Sequence, residues 1–340
     1  IPEEVLKATG KEAFKGAYAY DNYEYTKAAP KAHTMMDPKR SKIVESIHDA
    51  LVKCEIKDGM TISFHHSFRE GDMIIGQVLT AISELGIKGL RFAPSAVVNI
   101  KAPSIVDFVR KSTINRIEAS GIRGELGDAV IDGLMDNPVV LRPHGARPRA
   151  IDVAFIGASS ADEYGNATGL TGPNTCGSLG YSFIDARSAR TVVIITDHLV
   201  PYPCVPASIS QDNVDYVVRV EQIGDSAKIG KGAARVTKNP RDLLIAERAA
   251  RLIAESGWFR DGYSFQTGAG AISIACTNFL ADLTAEKGIR ASFSLGGSTA
   301  AIVEMFKRGL VRTIQCSQCF DSVAAHAMTS DPNIVEIDNS

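Results

Sequence analysis

Eight consecutive residues carry the densest chemistry in the chain: His65-His66-Ser67-Phe68-Arg69-Glu70-Gly71-Asp72. A planar guanidinium such as that of Arg69 can fork onto a carboxylate through two parallel hydrogen bonds. An imidazole at His65 or His66 can move a proton near neutral pH or donate to a developing oxyanion. Together they suit a site for a carboxylate or a thioester oxygen. The same pattern fits a helix cap at Asp72 with the histidines in surface contacts, and the residues alone leave both readings open.

Two glycine turns come next: Thr267-Gly268-Ala269-Gly270 and Leu295-Gly296-Gly297-Ser298. Each follows a strand-like run, so Gly268, Gly270, Gly296, Gly297 and Ser298 are candidates for close backbone approach to a ligand. Backbone N–H groups at a helix start favour anions and oxyanions. Neither turn is a full G-x-G-x-x-G, so dinucleotide binding is not supported, and no P-loop is present. Asp197-His198 sets an acid beside a histidine, but adjacent residues on a strand face opposite ways and cannot orient one another. Asp162-Glu163-Tyr164-Gly165-Asn166 reads as a turn before it reads as an acid–base pair. Cys316-x-x-Cys319 lacks the second close pair, or the two histidines, that a zinc site needs. The cysteines read as core or surface thiols in a reducing cytoplasm, and no metal is expected.

Elements must position these residues. Ser41 is placed to cap a helix with Ile43, Val44, Ile47, Leu51 and Val52 on one face. Met60–Phe64 reads as a short buried strand, Asp72–Leu85 as a helix, Leu90–Ala93 as a strand, and Pro103 opens another helix. Strand and helix then alternate to Val140-Leu141, the pattern of a parallel sheet with crossover helices. Further strands are expected at 153–156, 192–195 and 216–220. After a Gly/Lys-rich stretch comes a helix over 242–256, then strand 264–266, helix 271–283, strand 291–294, helix 299–308 and strand 311–315. The expectation is an α/β chain in four parts: an irregular tyrosine-rich arm (1–38), a first α/β domain (39–225), a linker (226–238) and a second, incomplete α/β domain (239–340).

Composition narrows the classes. The chain has 340 residues, 45% hydrophobic and 22% charged, with a formal charge of -2. That is an ordinary globular balance with no basic face for nucleic acid. No apolar run is long enough to span a membrane as a helix. The chain begins at Ile1 and ends just after a strand-like Ile334–Ile337, and both ends read as the limits of a fragment.

Several runs carry a family resemblance. Asp152–Ser159 with Asp162–Asn166 looks like the strand-turn-strand of CoA-transferases. Asn174-Thr-Cys-Gly-Ser-Leu-Gly-Tyr181, the His-His-x-Phe-Arg of Met60–Arg69, Pro206-Ala-Ser-Ile-x-Gln211-Asp212 and Leu295-Gly296-Gly297 are similar to runs of the citrate lyase alpha-chain family. They occur in order from residue 60 to 300. The resemblance implies two domains of the CoA-transferase, sugar-phosphate isomerase-like α/β fold with largely parallel sheets. It implies exchange of acetyl for citryl on an acyl-carrier thioester, with release of acetate. Nothing would be bound covalently to this chain. The thioester would be acetyl-CoA or the phosphoribosyl-dephospho-CoA arm of the carrier. The implied partners are the acyl-carrier (gamma) chain and the lyase (beta) chain, in a hetero-oligomer or homo-oligomer.

Many CoA-transferases hold a nucleophilic glutamate in a segment like Gly-Ile-His-x-Glu-Met. Its counterpart here is Gly288-Ile289-Arg290-Ala291-Ser292-Phe293, which puts Ser292 at the glutamate's place. The resemblance therefore implies a route without a glutamyl-CoA intermediate, with His65, His66, Arg69 and Ser292 as the catalytic candidates. The family pattern continues well past Ser340 and is longer between Gly145 and Asp152. The rivals are a malonate decarboxylase alpha-type transferase, a sugar-phosphate isomerase of the same fold, and a non-catalytic scaffold. The His-His-x-Phe-Arg run favours citrate among them.

Overall fold

Ser46, not Ser41, opens the first helix of the body: its hydroxyl accepts from Asp49 N at 3.1 Å and donates to Asp49 Oδ2 at 2.6 Å. The apolar pair before it, Ile43-Val44, forms a short strand instead (β1, Ile43–Val44). In the computed structural model, residues 2–10, 40–65, 67–97, 104–134, 140–141, 151–230 and 235–338 are described. Within residues 1–30, α1 (Glu3–Thr9) is a helix where the sequence predicts an irregular arm, closed by Gly10 at φ 61°. Tyr18, Tyr20, Tyr23 and Tyr25 lie outside the described residues.

The rest of the chain alternates strand and helix as expected. After β1 come α2 (Ile47–Lys53), β2 (Thr61–Phe64), α3 (Ile74–Glu84), β3 (Leu90–Pro94), α4 (Ile105–Arg110), β4 (Ile114–Ala119), α5 (Glu125–Ile131) and β5 (Val140–Leu141). Then β6 (Val153–Gly157), the hairpin β7 (Ser160–Ala161) and β8 (Ala167–Thr168), α6 (Phe183–Ser188), β9 (Thr191–Thr196) and β10 (Tyr216–Arg219) complete the first half. The second half holds α7 (Pro240–Glu255), β11 (Ser264–Phe265), α8 (Ala271–Glu286), β12 (Ala291–Ser298), α9 (Ala300–Lys307), β13 (Val311–Cys319), α10 (Ser322–Ser330) and β14 (Ile334–Glu336).

Two parallel sheets result. The first runs β1-β10-β9-β6-β2-β3-β4-β5 and the second β11-β12-β13-β14. Every pairing within them is parallel, and β7–β8 is antiparallel. Strands β2, β6 and β9 are buried along nearly their whole length, which is why β6 and β9 read as almost unbroken apolar runs. One hydrophobic core joins the sheets: Phe64, Phe92, Phe155 and Ile194 of the first belong to the same cluster as Ile302, Ile314 and Met328 of the second. The described part of segment 226–238 begins with a 3-10 turn at Ser226–Lys228.

One expected turn is not a turn. Leu295-Gly296-Gly297-Ser298 belongs to β12, which pairs with β13 as far as Ser298↔Cys319. The glycines are accommodated by a register slip at Gly296/Gly297, with Gly296 at φ 101°. Pairing with a long, buried β13 prevails over the local turn preference of two glycines.

Candidate functional site

In an open parallel sheet a crevice forms at the carboxyl ends of the strands, where successive connections depart in opposite directions. From β2 the chain moves outward through β3, β4 and β5, then returns to the other side of β2 with β6 and moves out through β9 and β10. The switch point lies between β2 and β6, and residues 65–72 leave β2 there.

His65 is not a surface residue. Its side chain is 3% exposed, and Nε2 lies 2.7 Å from Asp185 Oδ2. Asp185 sits on α6, fully buried, so the pair pins the end of β2 to the helix that follows residues 174–182. His66 lies outside the described residues. Asp72 supplies the predicted helix start, accepting from Ile75 N at 3.1 Å through Oδ1. Burial, opposed by hydrogen bonds from Ile75 and Ile74, pushes the Asp72 carboxyl up to about 7.

Arg69 is the unusual residue. It starts a 3-10 turn with φ 51°, uncommon for a side-chain-bearing residue, and is 5% exposed. Its Cζ stands 5.0 Å from the centroid of the Phe320 ring, and its Nε is 3.8 Å from Glu70 Oε2. Neither Nε nor Glu70 Oε2 has a hydrogen-bond partner among the described residues. Burial lowers the guanidinium's pKa, Glu70 opposes that, Arg123 adds to it, and Asp321 and Tyr181 oppose it. A buried guanidinium with an unused donor is costly, and functional sites are where such costs persist. Arg123, just beyond β4, places a second, exposed cation in the same field.

The second sheet meets this residue through Phe320. A Cβ added to Gly297 would lie 1.9 Å from Phe320 Cε2, so only glycine lets β12 run under that ring. A Cβ on Gly296 would lie 2.9 Å from Gln266 Nε2, just past β11. Gln266 and Gly268 in turn line a cavity of about 320 Å³ with Ile253, Trp258, Phe265 and Ile272. Arg69, Phe320, Gly297, Gly296, Gln266 and the Gly268 turn thus form an unbroken series across the ends of β13, β12 and β11. The Gly268 turn follows β11, and Gly296 and Gly297 lie within the neighbouring β12.

The helix starts are less open than the sequence suggests. Asp321 accepts from Ala300 N at 2.7 Å and from Ala324 N at 2.8 Å, capping α9 and α10 together. Gly270 precedes α8 with no side-chain cap, so that N-terminus keeps its N–H groups. Ser298 lies at the carboxyl end of β12, buried, whereas Ser292 lies at the opposite end. The Ser292 hydroxyl donates to Tyr263 O at 3.1 Å. Six residues at about 3.3 Å each separate the two serines by up to about 20 Å. The fold therefore gathers Arg69, Gly296, Gly297 and Ser298, keeps His65 behind them, and leaves Ser292 apart.

Sequence reasoning missed Phe320, Tyr181, Asp185 and Arg123, which are remote in sequence from the residues they serve. The loop 174–182 is stitched to the second sheet. Leu179 N donates to Glu336 Oε1 at 2.6 Å, and Gly180 abuts Ile337 O so closely that a Cβ would lie 2.1 Å from it. Asp197 and His198 go separate ways: Asp197 Oδ2 accepts from Asn174 Nδ2 at 3.0 Å, and His198 Nδ1 is 3.0 Å from Ser160 Oγ. Asp162 is a turn residue, accepting from Tyr164 N, Gly165 N and Asn166 N.

The Asp72 carboxyl has a stability consequence. A folded-state value near 7 against an unfolded value near 3.9 means that the folded chain holds a proton which the unfolded chain has lost. Stability falls as pH rises from about 4 to about 7. Asp72→Asn keeps the acceptor for Ile75 N and removes that fall, worth up to about 4 kcal/mol. Urea midpoints of both proteins at pH 5 and pH 8 check this. The variant should gain most at pH 8, and equal slopes would mean that Asp72 stays ionised.

Comparison with known proteins gives a consistent set. The family model described as citrate lyase, alpha subunit (CitF) matches residues 40–340. The citrate lyase alpha chain of Escherichia coli (strain K12) is 46% identical over 303 residues, covering 87% of this chain and 59% of that protein. The citrate lyase alpha chain of Klebsiella pneumoniae is 42% identical over 319 residues, covering 92% and 63%. This chain therefore spans less than two thirds of these relatives. A crystal structure of the citrate lyase alpha subunit of Streptococcus mutans in complex with citrate superposes with a TM-score of 0.85 at 44% identity, covering 99% of this chain and 67% of that one. A Pseudomonas malonate decarboxylase hetero-tetramer in complex with malonate matches with a TM-score of 0.63 at 16% identity, covering 83% and 52%, a likeness of fold alone.

Proposed function

The chain belongs to the citrate lyase alpha-subunit family, and from that premise we propose that it exchanges acetyl for citryl on the thioester of an acyl carrier or of CoA, releasing acetate. The observation that carries this reading is the buried Arg69 guanidinium at the switch point, with an unused Nε donor and Phe320 beneath it. A guanidinium so placed suits a carboxylate of a polycarboxylic acid, with Arg123 adding attraction. The thioester arm would enter along the Gly268–Gln266 side and bring its carbonyl to Gly296, Gly297 and Ser298.

The route needs no protein nucleophile. A citrate carboxylate oxygen attacks the acetyl thioester carbon, the C–S bond breaks, and the thiolate leaves. That thiolate then attacks the citryl carbonyl of the mixed anhydride and expels acetate, so atoms and charge balance. The chain's share is to hold the two reactants at attack distance and to meet oxyanion charge with fixed donors. His65, held by Asp185, keeps the arginine-bearing turn in place. Ser292, beside Tyr263 O at the opposite end of β12, takes no part in this route. The acyl-carrier and lyase chains are the proposed partners and the cytoplasm the proposed compartment. Among the described residues no helix is long and apolar enough to cross a membrane.

Incubation of the chain with an acetyl thioester and citrate, or malonate in its place, tests the reading by mass spectrometry. A citryl thioester with free acetate is the expected result. A malonyl thioester instead would move the substrate assignment, and no exchange with either acid would favour a scaffold role. A trapped glutamyl thioester would exclude the direct route.

A further inference from the structure

Beside this site lies a cluster of sulfur atoms that the transfer reaction does not use. β12 and β13 pair in register up to Gly296↔Cys316, but the next pairs are Gly297↔Gln318 and Ser298↔Cys319. Ser317 is thus an extra residue on β13, a bulge. Side chains alternate faces along a strand, so residues three apart normally point opposite ways. The extra residue turns that odd spacing into an even one and puts Cys316 and Cys319 on the same face. Their Sγ atoms are 3.7 Å apart, and both residues are fully buried. Met328 of α10 brings its Sδ to 3.4 Å from Cys319 Sγ.

Three sulfurs in one buried cluster suit soft ligands. Two thiolates each about 2.3 Å from a common ion, at a tetrahedral angle, stand about 3.8 Å apart, close to the observed separation. A disulfide fits less well. Two strand steps of about 3.3 Å put the Cα atoms about 6.6 Å apart, near the outer limit of disulfide geometry. Among the described residues no group of three or more His, Cys, Asp or Glu could hold a metal ion, so the third donor here is the Met328 thioether. Thiolate and thioether donors together select soft, monovalent copper-like ions.

We propose that Cys316, Cys319 and Met328 form a binding site for one soft, thiophilic cation of the Cu(I) class. Binding replaces two S–H protons, which leave to solvent, by two metal–thiolate bonds, with the thioether as third donor. No electron is transferred. The ion ties the end of β13 to α10 and so fixes Phe320, the residue after Cys319, against Arg69.

The test uses the whole chain with Cys54→Ser and Cys276→Ser, which removes the two partly exposed thiols. The reduced protein is titrated with Cu(I) without oxygen, against a coloured Cu(I) chelator. One ion per chain is expected. Cys316→Ser and Cys319→Ser should each weaken binding by about a hundredfold, and Met328→Leu, which keeps the core volume, by about tenfold. Thermal midpoints of the metal-free variants show that they fold. Full-affinity binding by Cys316→Ser/Cys319→Ser, or no uptake by the reduced, folded parent, would overturn the site. Because the readout is ion stoichiometry, its failure is distinct from a failure of the transferase reading.

Discussion

Arg69→Met should abolish exchange without unfolding the protein. The guanidinium is 5% exposed and has an Nε donor with no hydrogen-bond partner among the described residues. Its charge is desolvated, and its neighbours compensate only in part: Glu70 stands 3.8 Å away, outside hydrogen-bond range, and Phe320 offers a ring face at 5.0 Å. Replacing such a charge with an apolar side chain of similar volume is often neutral or stabilising. Methionine keeps the same backbone strain at φ 51°, so that cost cancels in the comparison. Loss of this buried fork-shaped donor at the switch point should lower kcat/KM for citrate by about a thousandfold, as for a missing transition-state donor. Arg69→Lys keeps a charge but not the planar fork and should lose about a hundredfold. Kinetics with a citrate series and urea midpoints decide the matter. A stability loss with activity retained would make Arg69 a structural cation and remove the main support for the proposed site.

That asymmetry between activity and stability explains which parts of the molecule could be read in advance. Strands β6 and β9 are legible because burial on both faces demands unbroken apolar runs, and Val153–Gly157 and Thr191–Thr196 supply them. Ile43-Val44 reads as helix in the sequence because a two-residue apolar pair fits either period. Its pairing with Val217 and Val218 is what makes it a strand, and that pairing is over 170 residues away. Ser46 followed by Asp49 was the local signal for the true helix start. The candidate cluster is half legible. Arg69 and the glycines stand out because few roles suit a dense polar turn after a strand or two adjacent glycines. Asp185, 120 residues from His65, and Phe320, which joins Arg69 to Gly297, leave no sequence trace, because each is an ordinary residue made significant by what packs against it. Ser292 shows the converse. The family resemblance assigns it to the site, and the strand's length carries it away.

Gly297→Ala should be far more damaging than a methyl group suggests, and for a reason that can be isolated. The new Cβ would stand 1.9 Å from Phe320 Cε2 and 2.2 Å from its Cζ, so the ring must leave its place under Arg69. The strand cannot yield instead, because Gly297 is held between the register slip and the pair Ser298↔Cys319. Overpacking of this kind costs about 1–3 kcal/mol. Moving the aromatic face by about an ångström misplaces the guanidinium and should lower kcat/KM by about a hundredfold. Phe320→Ala removes the obstacle. In that background the same Gly297→Ala change should be nearly neutral for stability, giving a coupling of about 1–3 kcal/mol in the double-mutant cycle. Exchange should stay low in both Phe320→Ala proteins, since the ring that seats Arg69 is gone. Urea midpoints of the four proteins measure the coupling directly. Additive losses would mean that Gly297 is required for the strand itself, and Phe320 would then lose its place as the link between the second sheet and the arginine.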